Sequence, residues 1–547
     1  MRVSVIVVCA AVFLVLSGVV AIQAHAEGDR LSPLWLLHIQ NYPGGISNGV
    51  RARADLGVLR AQALSAESSG SASPTAALTI PLDNIQINAD STPPLPQDET
   101  SVAFNVANPM NAVAAANDFT GDGFWIGFTR DGGRTWTSIF KDPKTSDGNR
   151  CFGSDPSVVY SVRDGAFYLA TLCFFFTPIS EVQVWKSVDG GATWTDSKKA
   201  AIAMTNLGSD GSIDRSVFYD KELLAVDNSP TLPNGAANPH YGRLYVTFIK
   251  FHIVFPSGRS DFCPVQLAFT DAIPTSKPSR ATWTHVAVVP DAPFADKGPS
   301  ANQWALPVVD DRGGLDIAYA LEDCNTGFDR GFFFTRSTNG GNTFSVPVQI
   351  DGPGQFVDNP KRNDLLPDKP FRAPVSPSLA FNPVTKSLSF VYQNNVNRAT
   401  SGADISYQRS RDYGRTWSDA KTISITATGS PAPNDQFFPW IAADERGRLH
   451  AIWFDNRNDP DNRLIETFQA FSADDGATWT NFDISTQPWD GSESFFDCGC
   501  FIGDYNGLAA SSQVIYPVWT DGRNSPGRPM GDTNIFTNVE IGIFLGS

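Results

Sequence analysis

One eight-residue frame recurs five times in this 547-residue chain. It reads "TRDGGRTW" at Thr129–Trp136, "SVDGGATW" at Ser187–Trp194, "STNGGNTF" at Ser337–Phe344, "SRDYGRTW" at Ser410–Trp417 and "SADDGATW" at Ser472–Trp479. Such self-similarity restricts the chain to repeat architectures, in which each copy is one supersecondary unit stacked on its neighbours. The fixed letters have turn chemistry. Gly takes backbone angles other residues resist, the Asp and hydroxyl bond nearby amides, and the aromatic supplies apolar area for a seam. The carboxylate in four of the five boxes would also suit calcium, but turn and anchor roles account for every fixed letter without a ligand.

Between the boxes the pattern is strand, turn, strand. Second runs align as "AFYLATL", "RLYVTFI", "GLDIAYAL", "SLSFVYQ", "RLHAIWFD" and "VIYPVWTD". In five units a third strand leads into the box, while the stretch 220–289 keeps a degenerate trace and the last unit has none. Seven units therefore start near Asn108, Asp155, Asp220, Gln303, Ser376, Phe438 and Asp504. Units of about four strands stacked radially predict an all-β chain folded as a β-propeller. Seven blades is the favoured count and six stays open. The last unit is short of an outer strand, which "AALTIPLDNIQI" at 76–87 can supply to close the ring.

Residues 1–26 have a positive start, an apolar core and the small-x-small end Ala24-His25-Ala26, which predicts a signal peptide cleaved after Ala26. No later run is apolar enough to span a bilayer. Residues 27–75 read as a propeptide or flexible arm, and 76–547 as the propeller. Export leaves six cysteines, which suggests disulfides. Cys151 with Cys173 is the plausible pair, whereas Cys498 and Cys500 in "DCGC" are each expected to reach elsewhere. The net charge of −16 excludes a nucleic-acid partner, which needs a basic face.

The boxes resemble the Asp-box (BNR) repeat, and residues 100–547 are similar to the sialidase superfamily of propellers. That family implies a glycan partner; a monomer is expected, and signal-peptide cleavage implies a secreted, periplasmic or cell-surface location. Propeller geometry sets the box at one rim, and the starts of first strands and ends of second strands at the other. The first-strand starts offer Asp155, Asp220, Arg372, Asp504 and Tyr505. The second-strand ends offer Glu322, Asp455 with Arg457, and Asp521 with Arg523, with Trp453 and Trp519 two residues before those aspartates.

Carboxyl pairs hydrolyse glycosides, and sialidases substitute a tyrosine nucleophile. Arginine forks suit a substrate carboxylate. By resemblance, "FRAP" at Phe371–Pro374 carries a sugar-binding arginine, and "DERGRLHAIWFDNRND" ends in the acid/base Asp455. Tyr505 is the expected nucleophile, with Asp504 beside it, Glu322 as its partner and Asp521 as the second acid/base candidate. Asp-x-Arg at a strand end also serves as a local ion pair. No cofactor or metal is indicated, although Asp155, Asp220 and Asp504 have the oxygen chemistry of a Ca²⁺ site. Three classes stay open: an exo-α-sialidase-type hydrolase, a non-catalytic glycan-binding or adhesion propeller, and a scaffold whose disulfides brace a protein-binding face.

Overall fold

The computed structural model describes residues 33–42, 44–47, 49–54, 84–89, 94–174, 177–196, 200–289, 302–361, 364–495, 500–528, 530–538 and 540–541. The expected signal peptide lies outside them. Alternating apolar runs joined by Gly-rich turns fold into seven antiparallel sheets, one per blade. The innermost strands are Gln97–Asn105, Phe152–Ser161, Val217–Val226, Gln303–Val309, Ser378–Asn382, Gln436–Ala443 and Gly507–Ala510. Each packs on the next in cyclic order, and the seventh returns to the first. The fold is a seven-bladed β-propeller.

The expected closure is present. Blade 7 contributes three strands in series, and its outermost is Ile85–Gln86, paired antiparallel with Phe536 and Thr537. One start is corrected. Blade 1 opens at Gln97 rather than near Asn108, which begins its second strand. In the run "QDETSVAFN", five consecutive polar or charged residues, Gln97 to Ser101, hide the strand pattern.

Every box joins the third and fourth strands of its blade. In the second, Ser187 Oγ donates to Asp189 Oδ1 (2.9 Å) and Thr193 N to the same oxygen (2.8 Å). Gly191 N donates to Ser187 Oγ, and Trp194 Nε1 to Gly191 O, both at 3.0 Å. The aromatic then packs on the preceding blade. Trp194 is buried with Val113 and Phe124 of blade 1, Trp417 lies 5.6 Å from Phe334 of blade 4, and Trp479 lies 5.3 Å from Tyr407 of blade 5.

Cys151–Cys173 is bridged, as expected, and Cys263–Cys324 ties blade 3 to blade 4. Cys500 is also disulfide-bonded, but those two bridges leave no described cysteine elsewhere to meet it. Among the described residues, no helix is long and apolar enough to cross a membrane. The helix α1, Leu34–Asn41, instead packs on blades 2 and 3, with Trp35 edge-to-face on Phe174 and tilted against Phe218.

Candidate functional site

Five of the seven innermost strands enter the ring through the same irregularity. The register slips between Asp98 and Ser101, Ser154 and Ser157, Asp220 and Leu223, Gln303 and Leu306, and Phe437 and Trp440. Each slip holds one non-glycine residue at positive φ: Glu99 (59°), Asp155 (57°), Lys221 (53°), Trp304 (59°) and Phe438 (56°). A bulge re-aims a side chain, and left-handed angles cost a residue with a Cβ about 1–3 kcal/mol. Three of the five residues so placed are charged.

They converge with their neighbours on one buried cluster. Asp98, Glu99, Asp155, Asp220, Lys221, Glu222, Asp504 and Tyr505 are each no more than 2% exposed. Asn117, from the second strand of blade 1, binds them together. Its Nδ2 donates to Asp98 Oδ1 (3.2 Å) and Glu99 Oε2 (2.6 Å), while its Oδ1 accepts from Asp155 N (2.8 Å). Lys221 Nζ stands 3.2 Å from the centre of the Tyr505 ring, a cation–π contact. Arg372 donates to Asp504 Oδ2 at 2.8 Å and lies 3.6 Å from Asp364.

Much of this polar surface is unsatisfied. Among the described residues, Asp98 Oδ2, Glu99 Oε1, Asp155 Oδ2, Asp220 Oδ1, both Glu222 carboxylate oxygens, Lys221 Nζ and the Tyr505 hydroxyl have no hydrogen-bond partner. Native proteins rarely leave such groups alone, and each one calls for a reason. Burial, then the charges of Asp155, Asp504 and Asp98, pushes Glu99 well above the carboxylate range. Burial and Asp155 push Glu222 the same way and raise Asp220 to about 7. Burial, reinforced by Glu99, Asp155, Glu222 and Asp504, keeps the Tyr505 phenol protonated.

The N-terminal segment covers this cluster. Gly45 N donates to Glu322 Oε1 (3.2 Å) and Ser47 N to Asp220 Oδ2 (2.6 Å). Gln303 Nε2 donates to Gly45 O. A Cβ on Gly49 would stand 2.7 Å from Glu99 Oε2 and 2.8 Å from Asp155 Oδ1. Arg53 then reaches Gly121 O and Gly123 O in blade 1 and lies over Phe119. Gly45 has φ +87°, and a side chain there would strike the Cys324 carbonyl. Below the cluster, an axial cavity of about 160 Å³ is lined from all seven blades, including Val102, Val158, Leu306 and Trp440. Ligand pockets usually occupy roughly 300 Å³ or more. Space for a ligand of ordinary size must come from moving the segment.

Of the residues singled out in the sequence, Tyr505, Asp504, Asp155, Asp220, Arg372 and Glu322 meet at this mouth. Asp455, Asp521, Arg457, Arg523, Trp453 and Trp519 do not. Asp455 accepts from Trp453 Nε1 (2.8 Å) and Arg457 Nη2 (2.6 Å), and Arg457 reaches Ile425 O of blade 5. Asp521 repeats the arrangement with Trp519 and Arg523, which reaches Thr486 and Asn84. Both aspartates are fully buried, and both arginines lie over a phenylalanine, Phe468 or Phe536. These Trp-x-Asp-x-Arg units fasten blades 6 and 7 to the strands before them. The sequence reading missed Asp98, Glu99, Lys221, Glu222 and Asn117. Charges inside "QDET" and "YDKEL", at the mouths of strands meant to be buried, were the available signal.

A cleft of about 570 Å³ opens on the opposite rim between blades 4 and 5, lined by Arg312, Arg336, Tyr413 and Arg415. Arg336 is already held by Asp310 and Asp316, so its charge is spent locally.

The raised carboxyls give stability a definite pH dependence. Asp220 and Asp358 are pushed up to about 7 by burial and then by the charge of Asp155 or Asp364, and Asp364 to about 6 by burial, against the opposing charge of Arg372. Folded, they keep protons that the unfolded chain releases above about pH 4. These groups therefore make stability fall as pH rises from about 4 through 7, and the still higher Glu99 and Glu222 act in the same direction. In the boxes, burial works against Asp189, but hydrogen bonds from Thr193 and Ser187 outweigh it and lower its pKa. That contribution is lost only as pH falls below about 4. Thermal melts at constant ionic strength should show a falling midpoint between about pH 5 and 7.5, with a shallower slope in Asp220→Asn. A flat profile would contradict the buried-acid picture.

No family model and no curated protein matches this chain. Among solved structures it is similar to a protein of unknown function from Dyadobacter fermentans, at 12% identity over 71% of this chain and 95% of that one, TM-score 0.42. It is similar to a Trypanosoma rangeli sialidase in complex with the inhibitor DANA, at 16% identity over 73% of this chain, TM-score 0.42. The match spans 57% of that sialidase. A third likeness is to an α-L-arabinanase of Penicillium chrysogenum complexed with arabinobiose, at 11% identity over 84% and 98% of the two chains, TM-score 0.40.

Proposed function

We propose that the protein is an exported, glycan-acting propeller whose reactive centre is the Tyr505 cluster and whose N-terminal segment holds it closed. The observation that carries this reading is the unpartnered Tyr505 hydroxyl, buried among carboxyls with Gly49 in the approach to Glu99 and Asp155. Tyr505 is the nucleophile, Glu99 the base that takes its proton, and Asp155 the acid that protonates the leaving oxygen. In the second half, Asp155 deprotonates water, which attacks the glycosyl-tyrosine, and the phenol recovers its proton from Glu99. Moving the segment admits water and relaxes the burial penalty. One carboxyl can then ionise while another stays protonated, the split that acid–base pairs require.

Charge bears on the substrate. Carboxyls outnumber Lys221 and Arg372, and Arg372 is committed to Asp504. Neutral glycosides are therefore the better substrates and anionic sialosides the poorer. The two described bridges fit an oxidising compartment, and residues 27–75 act as a propeptide.

Gly44→Val with Gly45→Val drives side chains into the blade 4 backbone at Gly327 and Cys324, and should eject the segment. Hydrogen exchange over 44–54 checks the ejection. Turnover across neutral aryl glycosides should then rise at least about tenfold over the parent chain, the scale of a modest gating energy, with a sialoside the weakest. An ejected segment with binding on a glycan array but no turnover would make the mouth a lectin site. Neither binding nor turnover would end the reading.

A further inference from the structure

A second acidic centre lies beside the mouth, between blades 4 and 5. Asp329 opens the third strand of blade 4 and is paired in register with Glu322 at the end of the second. Asp358 and Asp364 come from the long connection that carries the chain into blade 5. One carboxylate oxygen from each of the three lies within 4.8 Å of the others. The connection is pinned so that they meet. Asp358 Oδ2 accepts from Asp329 N (3.1 Å) and its Oδ1 from Asn359 N (2.7 Å), while Ala373 N donates to Asp364 O (2.8 Å).

An independent feature points to a missing ligand. Asp329 is 2% exposed, yet neither of its carboxylate oxygens has a hydrogen-bond partner among the described residues. Asp364 Oδ1 is equally unpartnered and buried. The charge balance is also incomplete. Arg372 is 3.6 Å from Asp364 but bonds Asp504 at 2.8 Å. A protein that buries carboxylates normally pairs them or gives them a metal.

We propose that Asp329, Asp358 and Asp364 form a Ca²⁺ site that locks the blade 4–5 connection to the rim of the mouth. The donors are all carboxylate oxygens, the preference of hard cations rather than of zinc or copper. Oxygens spread over up to 4.8 Å suit an ion that binds at about 2.4 Å and accepts irregular geometry, whereas Mg²⁺ needs a tighter octahedron near 2.1 Å. Glu322 is the adjoining acid, and its Oε1 receives Gly45 N, so the ion would stiffen the rim on which the N-terminal segment rests. This differs from the Asp155, Asp220 and Asp504 set that the sequence offered for Ca²⁺. Among the described residues, only the Asp329 group brings three such ligands within one ion's reach.

The test uses the full chain, stripped with a chelator, and does not depend on any glycan chemistry. Added Ca²⁺ should raise the unfolding midpoint by a few degrees, as a ligand of the folded state does, and bind in calorimetry, with Mg²⁺ markedly weaker. Asp329→Asn should weaken Ca²⁺ binding at least about tenfold, and Asp364→Asn should do the same, so that one misfolded variant does not decide the matter. Asp220→Asn should leave it intact. No binding to the parent chain, unchanged affinity in both variants, or a loss confined to Asp220→Asn would overturn the site.

Discussion

Tyr505→Phe, placed in the chain whose N-terminal segment has been ejected, is expected to remove at least about 10³-fold of the turnover, as loss of a nucleophile does. The same change should leave the fold untouched or slightly stabilised. Among the described residues the hydroxyl has no hydrogen-bond partner in its buried position, and removing an unsatisfied polar atom relieves a desolvation penalty. The ring itself, packed 6.3 Å from Trp304 and 6.1 Å from Trp440, is retained. Single-turnover kinetics and a thermal melt on the same preparation separate the two effects. Full activity in Tyr505→Phe with loss in Glu99→Gln would shift the covalent role to a carboxylate.

Trp194→Ala should cost about 3–5 kcal/mol, the range for a buried large aromatic. Its ring fills the seam between blades 1 and 2, beside Val113, Phe124, Val158 and Trp185, and those neighbours belong to rigid strands that cannot collapse into the gap. Asp189→Ala, which removes the exposed acceptor of Ser187 Oγ and Thr193 N, should cost only about 1 kcal/mol, the net worth of a hydrogen bond. Glycan binding should survive both, since the boxes stand on the rim opposite Tyr505. Denaturant titration reads the two costs directly. Equal stability in Trp194→Ala and the parent chain would remove the seam role.

The repeat was legible because its causes are local. A Gly turn, an Asp that caps it and an aromatic anchor must fall at fixed spacing, so five copies declared the blades and the place of each hairpin. Ring closure followed from counting strands. The site was legible only where a residue's own neighbours betrayed it, as with "GDYNG" around Tyr505 or Arg372 in "FRAP". Asp455 and Asp521 share the local look expected of mouth acids, and that they bond Trp453 with Arg457 and Trp519 with Arg523 depends on side-chain direction, which sequence does not contain. Glu99 escaped with the unrecognised first strand. The covering segment escaped because "GGISNG" fits a loose arm as well as a tight seat. Its glycines are explained only by the Cys324 carbonyl and the Glu99 and Asp155 carboxylates they approach.

The pairing of Ile85–Gln86 with the last blade also bears on how the protein is made. Among the described residues, the strand synthesised first completes the last blade's sheet, so until that strand pairs the blades stand as an open arc with unpaired edges, which invite association with other chains. Ring closure thereby waits on a pairing between the two ends of the described chain, and such non-local contacts form slowly. Because the joint lies downstream of residues 33–54, a protease can later detach the cover and leave the clasp fastened.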